Sequence, residues 1–234
     1  MAVRESAFAA TAADEAAPVK PSFSGSFKKA PETQVGQDLP LTLTLKNTVS
    51  DPQKIETKMT ATAIIYNSKP VKSFLTETHS VSLGPNEEKS IEMNLPYVTY
   101  RDAITADNMI QVVAVCTDAN GGNLLVQIVI TLKNPALLLR AIDEIKLNKM
   151  CRVDAIFTNP IKEVVPNSVL IVEGSGLLRD QVIVNVPSLN PNQRATIQIE
   201  VCPHRLGDRS LLADFSSKLF QNAKGFQTLS VASS

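Results

Sequence analysis

Tryptophan is missing from this chain, histidine occurs twice, and cysteine three times in 234 residues. Two imidazoles leave little material for a zinc centre, which takes four Cys or His ligands, or for general-base chemistry. Three cysteines are an odd number, so no complete disulfide framework can form within one chain. Cys116 and Cys202 also lie in apolar runs, so the expectation is of reduced, mostly buried thiols in a cytoplasmic protein. An excess of either charge is missing too: 23 Lys and Arg balance 23 Asp and Glu. That opposes a nucleic-acid partner or an anionic membrane surface, both of which call for a local excess of basic residues. No apolar run approaches the ~20 residues of a membrane span, so membrane insertion is not expected. No Asn-x-Ser/Thr acceptor occurs. The Ala-rich start has no Leu/Val-type core and is interrupted by Asp14 and Glu15, so it does not read as a signal peptide.

What the chain does have is alternation. Leu39, Leu41, Leu43 and Leu45 are separated by Pro40, Thr42 and Thr44, and the same period of two runs from Met59 to Ile65, Ile91 to Leu95 and Ile110 to Cys116. Such segments put one face on a core and the other in water. Asn123 to Lys133 is more continuously apolar, as a central strand would be. Further strands are expected over Ser73–Leu83, Cys151–Phe157, Val169–Val172, Gln181–Val186, Ala195–Val201, Ser210–Phe215 and Gln227–Val231. Gly84-Pro85-Asn86, Asn120-Gly121-Gly122 and Asn134-Pro135 supply turns between runs. Arg4 to Ala17 reads as a short helix and Pro18 to Ala30 as a linker.

The two halves also match each other. Leu83-Gly84-Pro85-Asn86 before Ile91-Glu92-Met93 parallels Leu189-Asn190-Pro191-Asn192 before Ile197-Gln198-Ile199, an offset of 106 positions. Leu45-Lys46-Asn47 parallels Phe157-Thr158-Asn159 at an offset of 112. The expected architecture is therefore all-β: two tandem immunoglobulin-like (fibronectin III-like) sandwiches, 31–134 and 135–234, after a linker segment 1–30. The break falls near Asn134-Pro135 because Pro cannot continue a central strand.

No set of residues announces chemistry. His79 sits in an alternating polar run and reads as a solvent-facing strand residue. His204 follows Cys202-Pro203, a Cys-x-His pair with no second ligand cluster. Asp118-Ala119-Asn120-Gly121-Gly122-Asn123 opens like a calcium loop, but Val129 stands where the bidentate Glu belongs, so a hairpin turn is expected. Glu173-Gly174-Ser175-Gly176 completes neither a dinucleotide fingerprint nor a nucleophile elbow. No catalytic residue and no metal site is assigned.

Several segments together resemble the two C-terminal β-domains of transglutaminases. They are Tyr97-Val98-Thr99-Tyr100-Arg101-Asp102 with Asp107-Asn108-Met109-Ile110, then Leu132-Lys133-Asn134-Pro135, Phe157-Thr158-Asn159-Pro160, Val172-Glu173-Gly174-Ser175-Gly176-Leu177, and Asp214-Phe215 with Lys224-Gly225-Phe226. They run in family order across about residues 35 to 232, and Arg4-Glu5-Ser6-Ala7-Phe8 is similar to the segment that leaves the catalytic core. The resemblance implies the non-catalytic regulatory or binding region of a calcium-dependent protein-glutamine γ-glutamyltransferase. Its Cys-His-Asp triad and its calcium would lie in a core domain, which is the implied partner. This chain would then carry no cofactor. The resemblance further implies that Tyr66, in Ile65-Tyr66-Asn67, contacts the catalytic cysteine of that core and holds it closed. Ile128 and Thr131 stand where the tissue enzyme has the Arg and Tyr that bind guanine nucleotide, so no GTP site of that type is implied. The alternative is a stand-alone, core-less scaffold or protein-binding module.

Overall fold

Every long alternating run becomes a strand, and in most the buried residues are those of one parity; from Val153 to Phe157 both parities are buried. β1 is Phe23–Phe27, β2 Leu39–Asn47, β3 Gln53–Ile64, β4 Pro70–Leu83, β5 Glu88–Leu95, β6 Met109–Asp118 and β7 Asn123–Thr131. The second series is β8 Leu137–Ala141, β9 Cys151–Thr158, β10 Ser168–Glu173, β11 Val182–Val186, β12 Arg194–Val201, β13 Gly207–Ser216 and β14 Ala223–Val231. A single helical turn, α1 (Tyr97–Tyr100), follows β5. These elements come from a computed structural model that describes residues 20–28 and 32–233. The helix expected over Arg4–Ala17 and the Arg4–Phe8 segment fall outside them.

The strands assemble as two sandwiches of identical plan. In the first, a three-stranded sheet β1-β2-β5 faces a four-stranded sheet β4-β3-β6-β7; in the second, β8-β9-β12 faces β11-β10-β13-β14. All named pairings are antiparallel. The equivalence confirms the internal match seen in sequence, and its turns agree in detail. Asn86 and Asn192, equivalent members of the matched turns, both take positive φ, 56° and 60°, a conformation that Asn tolerates better than most side chains.

On β2, Leu39, Leu41, Leu43 and Leu45 are all buried while Pro40 and Lys46 are exposed. Burying each such leucine contributes roughly 1.5–3 kcal/mol. The second core is anchored by aromatics: Phe157 stacks on Phe215 at 4.0 Å and meets Phe220 edge-on at 5.8 Å. Three expectations are corrected. Asn123–Thr131, expected as a central strand, form β7 at the edge of its sheet with every second residue exposed. Phe23–Phe27, expected as linker, form β1, because Phe23 is buried and the segment pairs with Leu43–Asn47; the Ser and Gly residues that suggested a linker are its exposed and close-packed positions. Leu137–Ala141, to which no strand was assigned, form β8 beside β9.

The sandwiches meet through a small set of contacts. Arg101 Nη1 donates to Glu163 Oε1 at 2.6 Å. Asn134 Nδ2 donates to the carbonyls of Gln221 and Asn222, both at 3.0 Å, while its Oδ1 accepts from Asn108 Nδ2 at 2.9 Å. Gly36, at φ +99°, packs so closely on Ile161 that a Cβ there would overlap it.

Candidate functional site

Tyr66 lies in the turn that joins β3 to β4. Ser68 N–H closes the turn on Ile65 O at 2.8 Å, with Ser68 at φ 63°. Tyr66 N–H donates to Asp107 Oδ2 at 3.1 Å, and Thr105 Oγ1 donates to Ile64 O at 3.3 Å. The backbone of the turn is therefore tied to the 105–107 loop while the side chain points away: Tyr66 is 78% exposed. The ring thus presents an apolar body and a polar hydroxyl to solvent from a tethered turn.

Ile64 stands beside Met109, and Met109 beside Thr131, so Thr131 shares the sheet end that carries Tyr66. Ile128 does not join them. Successive strand residues alternate between faces; Ile128 is half-buried against the core, whereas Thr131 is exposed. On the outer face of β6 and β7, Val115 and Leu125 are exposed side by side, and Val129 is exposed beyond Gln127, whose Oε1 accepts from Gln111 Nε2 at 3.2 Å.

The thiols and imidazoles are dispersed. Cys116 is fully buried on β6, opposite Thr57, and burial pushes its thiol pKa up, away from the reactive thiolate. Cys151 is buried and its Sγ donates to Glu144 O at 3.3 Å. Cys202 is exposed, a correction to the expectation that it packs in the core: it follows β12, where the chain has left the sheet. His79 Nε2 lies 3.2 Å from Glu77 Oε2. His204 is exposed, with its backbone N–H on Gly176 O. Among the described residues no group of three His, Cys, Asp or Glu is placed to hold a metal.

The Asp118 loop is a hairpin, and its carboxylate is already saturated. Asp118 Oδ1 accepts from Asn120 N at 3.0 Å and Gly122 N at 2.8 Å; Oδ2 accepts from Ser22 N at 3.2 Å and Ser22 Oγ at 2.9 Å. Burial works to raise its pKa, but the donors from Ser22, Gly122 and Asn120 together bring it below the usual value. Glu173-Gly174-Ser175-Gly176 is a strand-end turn closed by Leu177 and Leu178 N–H on Gly174 O.

A cleft of about 620 Å³ opens between the sandwiches, lined by Gly36, Asp38, Tyr97, Val98, Pro160 and Glu163 among others. Asp38 Oδ1 accepts from Tyr97 N at 2.8 Å, and the buried Tyr97 hydroxyl finds no partner among the described residues. The reading of the sequence missed this interface, including Arg101 and Glu163. It also missed two fully buried amides, Asn47 and Asn159. Asn47 Nδ2 donates to Asp51 O and Gly84 O, both at 2.8 Å. Asn159 Nδ2 donates to Glu163 O at 2.8 Å and to Leu189 O and Asn190 O at 3.0 Å. Their signal was present: both close the matched segments Leu45-Lys46-Asn47 and Phe157-Thr158-Asn159.

Comparison with known proteins agrees with this geometry. The model of the transglutaminase family C-terminal immunoglobulin-like domain matches twice, at residues 24–118 and 126–233. Protein-glutamine gamma-glutamyltransferase E of Rattus norvegicus is 38% identical over 213 residues, which is 91% of this chain and 31% of that protein. Protein-glutamine gamma-glutamyltransferase 6 of Homo sapiens is 37% identical over 213 residues, 91% of this chain and 30% of that protein. The chain thus spans about a third of the length of the curated relatives it matches. The crystal structure of red sea bream transglutaminase superposes with a TM-score of 0.77 at 24% identity, over 91% of this chain and 31% of that one, a likeness of fold.

Proposed function

The chain belongs to the transglutaminase family, as its paired C-terminal immunoglobulin-like domains, and from that premise we propose that it is a non-catalytic regulatory and docking region for the catalytic core of a calcium-dependent protein-glutamine γ-glutamyltransferase. In this reading the core supplies the cysteine, the histidine, the aspartate and the calcium, and this chain supplies the surface that covers them. The observation that carries it is Tyr66, 78% exposed on a turn whose backbone is pinned to Asp107. A phenol donates one hydrogen bond and accepts others, so it can cap a thiolate presented by a facing domain. Val115 and Leu125, exposed side by side on the same sheet, offer apolar area to such a face. Displacing the pair from the core would then uncover the cysteine, a population shift driven by ligands that bind the open form better.

Guanine nucleotide has no place in this reading. Ile128 and Thr131 lack the guanidinium fork that binds phosphate, and Ile128 packs on the core. Micromolar GTP affinity in calorimetry would contradict that.

The test is made in trans. The isolated catalytic core of the rat relative is assayed for calcium-driven transamidation with and without this chain. The chain is expected to slow turnover and to shield the core cysteine from iodoacetamide, and Tyr66→Ala is expected to lose most of both effects. Equal rates with and without the chain would reject the regulatory role and favour a core-less scaffold.

A further inference from the structure

We propose that β1 is a releasable strap across the open side of the first sandwich and that Asp118 is the pin that fastens it. Among the described strands β1 pairs with β2 alone and is the outermost of its sheet. Three of its five residues are Ser or Gly, and of the five only Phe23 is fully buried. It lies across the gap between the two sheets. A Cβ on Gly25 would stand 2.9 Å from Leu45 Cδ2 on β2, and 3.2 and 3.3 Å from Leu124 and Val126 side chains on β7. The strand therefore touches the second sheet at a position with no side chain.

It is laddered to β2 along its length, with Lys28 N–H on Thr42 O at one end and Thr48 N–H and Oγ1 on Ser22 O at the other; its fastening to the opposite sheet is the pair of Ser22 donors held by Asp118 Oδ2. The hairpin is shaped for that duty: a Cβ on Gly122 would meet Asp118 Oδ2 at 2.6 Å and Pro21 Cα at 2.8 Å, so only glycine lets the incoming chain lie this close. β8, the equivalent strand of the second sandwich, buries two leucines, Leu137 and Leu139. A pull on the chain ahead of Ser22 loads the Asp118 bonds together with the two Thr48 bonds to Ser22 O. Release would uncover Leu45, Leu124 and Val126 and free the β2 edge from Leu43 to Asn47, a row of backbone donors and acceptors open to another strand.

Hydrogen–deuterium exchange of the whole chain tests this with Asp118→Ala, which removes the pin, and with Gly25→Val, which presses the strand off from its packed face. In both variants the amides of residues 24–27 are expected to exchange at least about tenfold faster than in the parent, as loss of charge-assisted bonds implies. The β3 and β6 ladder and the whole second sandwich are expected to keep parent rates. Parent-like protection of β1 in both variants would overturn the pin. Exchange of β1 together with the β3 and β6 ladder would overturn the strap, because the strand would then be inseparable from the sandwich.

Discussion

The chain enters the first sandwich through Ser22 and the second through Asn134, and each residue is fastened to the last hairpin of its own sandwich. In both the incoming residue donates and the hairpin accepts, but the acceptor differs. In the first, the hairpin supplies a carboxylate, Asp118, and the incoming Ser22 donates to it. In the second, the incoming Asn134 supplies the amide, and the hairpin offers the carbonyls of Gln221 and Asn222. Asn134 is also held from behind by Asn108 of the first sandwich, whereas Ser22 gains its side-chain fastening from Asp118. One fold thus places a clasp at the same point twice and fills it with a charged pin once and a neutral bridge once. The position is dictated by topology, because the first strand must close over the last hairpin; the residue type is free to vary.

The buried amides offer the severest way to break this equivalence. Asn47 and Asn159 each hold a matched turn against the end of a matched strand. Replacing either by Ala leaves buried carbonyls without a donor, at a cost of about 2–4 kcal/mol. Urea denaturation is expected to show similar losses for the two variants, each confined to its own sandwich when followed by residue-resolved exchange. A loss several-fold larger at one site would show that the turns are not equivalent.

The close-packing glycines sharpen the comparison at a smaller scale. Both sandwiches need a glycine where the first strand crosses the last, but on opposite partners: Gly25 on β1 and Gly225 on β14. A Cβ at Gly225 would stand 2.6 Å from the backbone oxygen of Leu137, which cannot move without the strand; at Gly25 its nearest neighbour is a leucine methyl at 2.9 Å, which can rotate. Gly225→Ala should therefore cost about 2 kcal/mol and Gly25→Ala under about 1 kcal/mol, read from the shift in urea midpoint.

The smallest contrast is set by acid. Asp143, between β8 and β9, takes Arg152 Nε and Nη2 at 2.8 Å and Arg152 N at 2.9 Å. These bonds lower its pKa from 3.8 to about 2. A depressed carboxylate pKa stabilises the fold above its unfolded value and loses that contribution as pH falls through the folded one. The increment is thus present above about pH 4 and gone near pH 2. Thermal melts across that window should show Asp143→Asn with a flatter acid limb than the parent.

Most of this fold was legible in the sequence because an antiparallel sandwich writes its core as period two, and Leu39 to Leu45 or Ile110 to Cys116 read directly. β1 and β8 were not, for physical reasons: β1 carries Ser and Gly where it packs close, which reads as linker, and Leu137-Leu138-Leu139 in β8 is continuous rather than alternating. The candidate site was legible only by resemblance. Nothing in the composition around Tyr66 distinguishes an exposed ring on a turn from one folded onto its own sheet, and its 78% exposure appears only in three dimensions. The contact between Arg101 and Glu163 joins residues 62 positions apart, a pairing that no local pattern encodes.

A transamidation assay on the chain alone, with a glutamine-donor peptide, a primary amine and calcium, tests most directly whether these two packed cores lack a reactive centre. Turnover indistinguishable from the blank is the expected result. Turnover above the blank that is abolished by Cys116→Ala or by Cys202→Ala would contradict it, since one of these thiols would then be acting as a nucleophile.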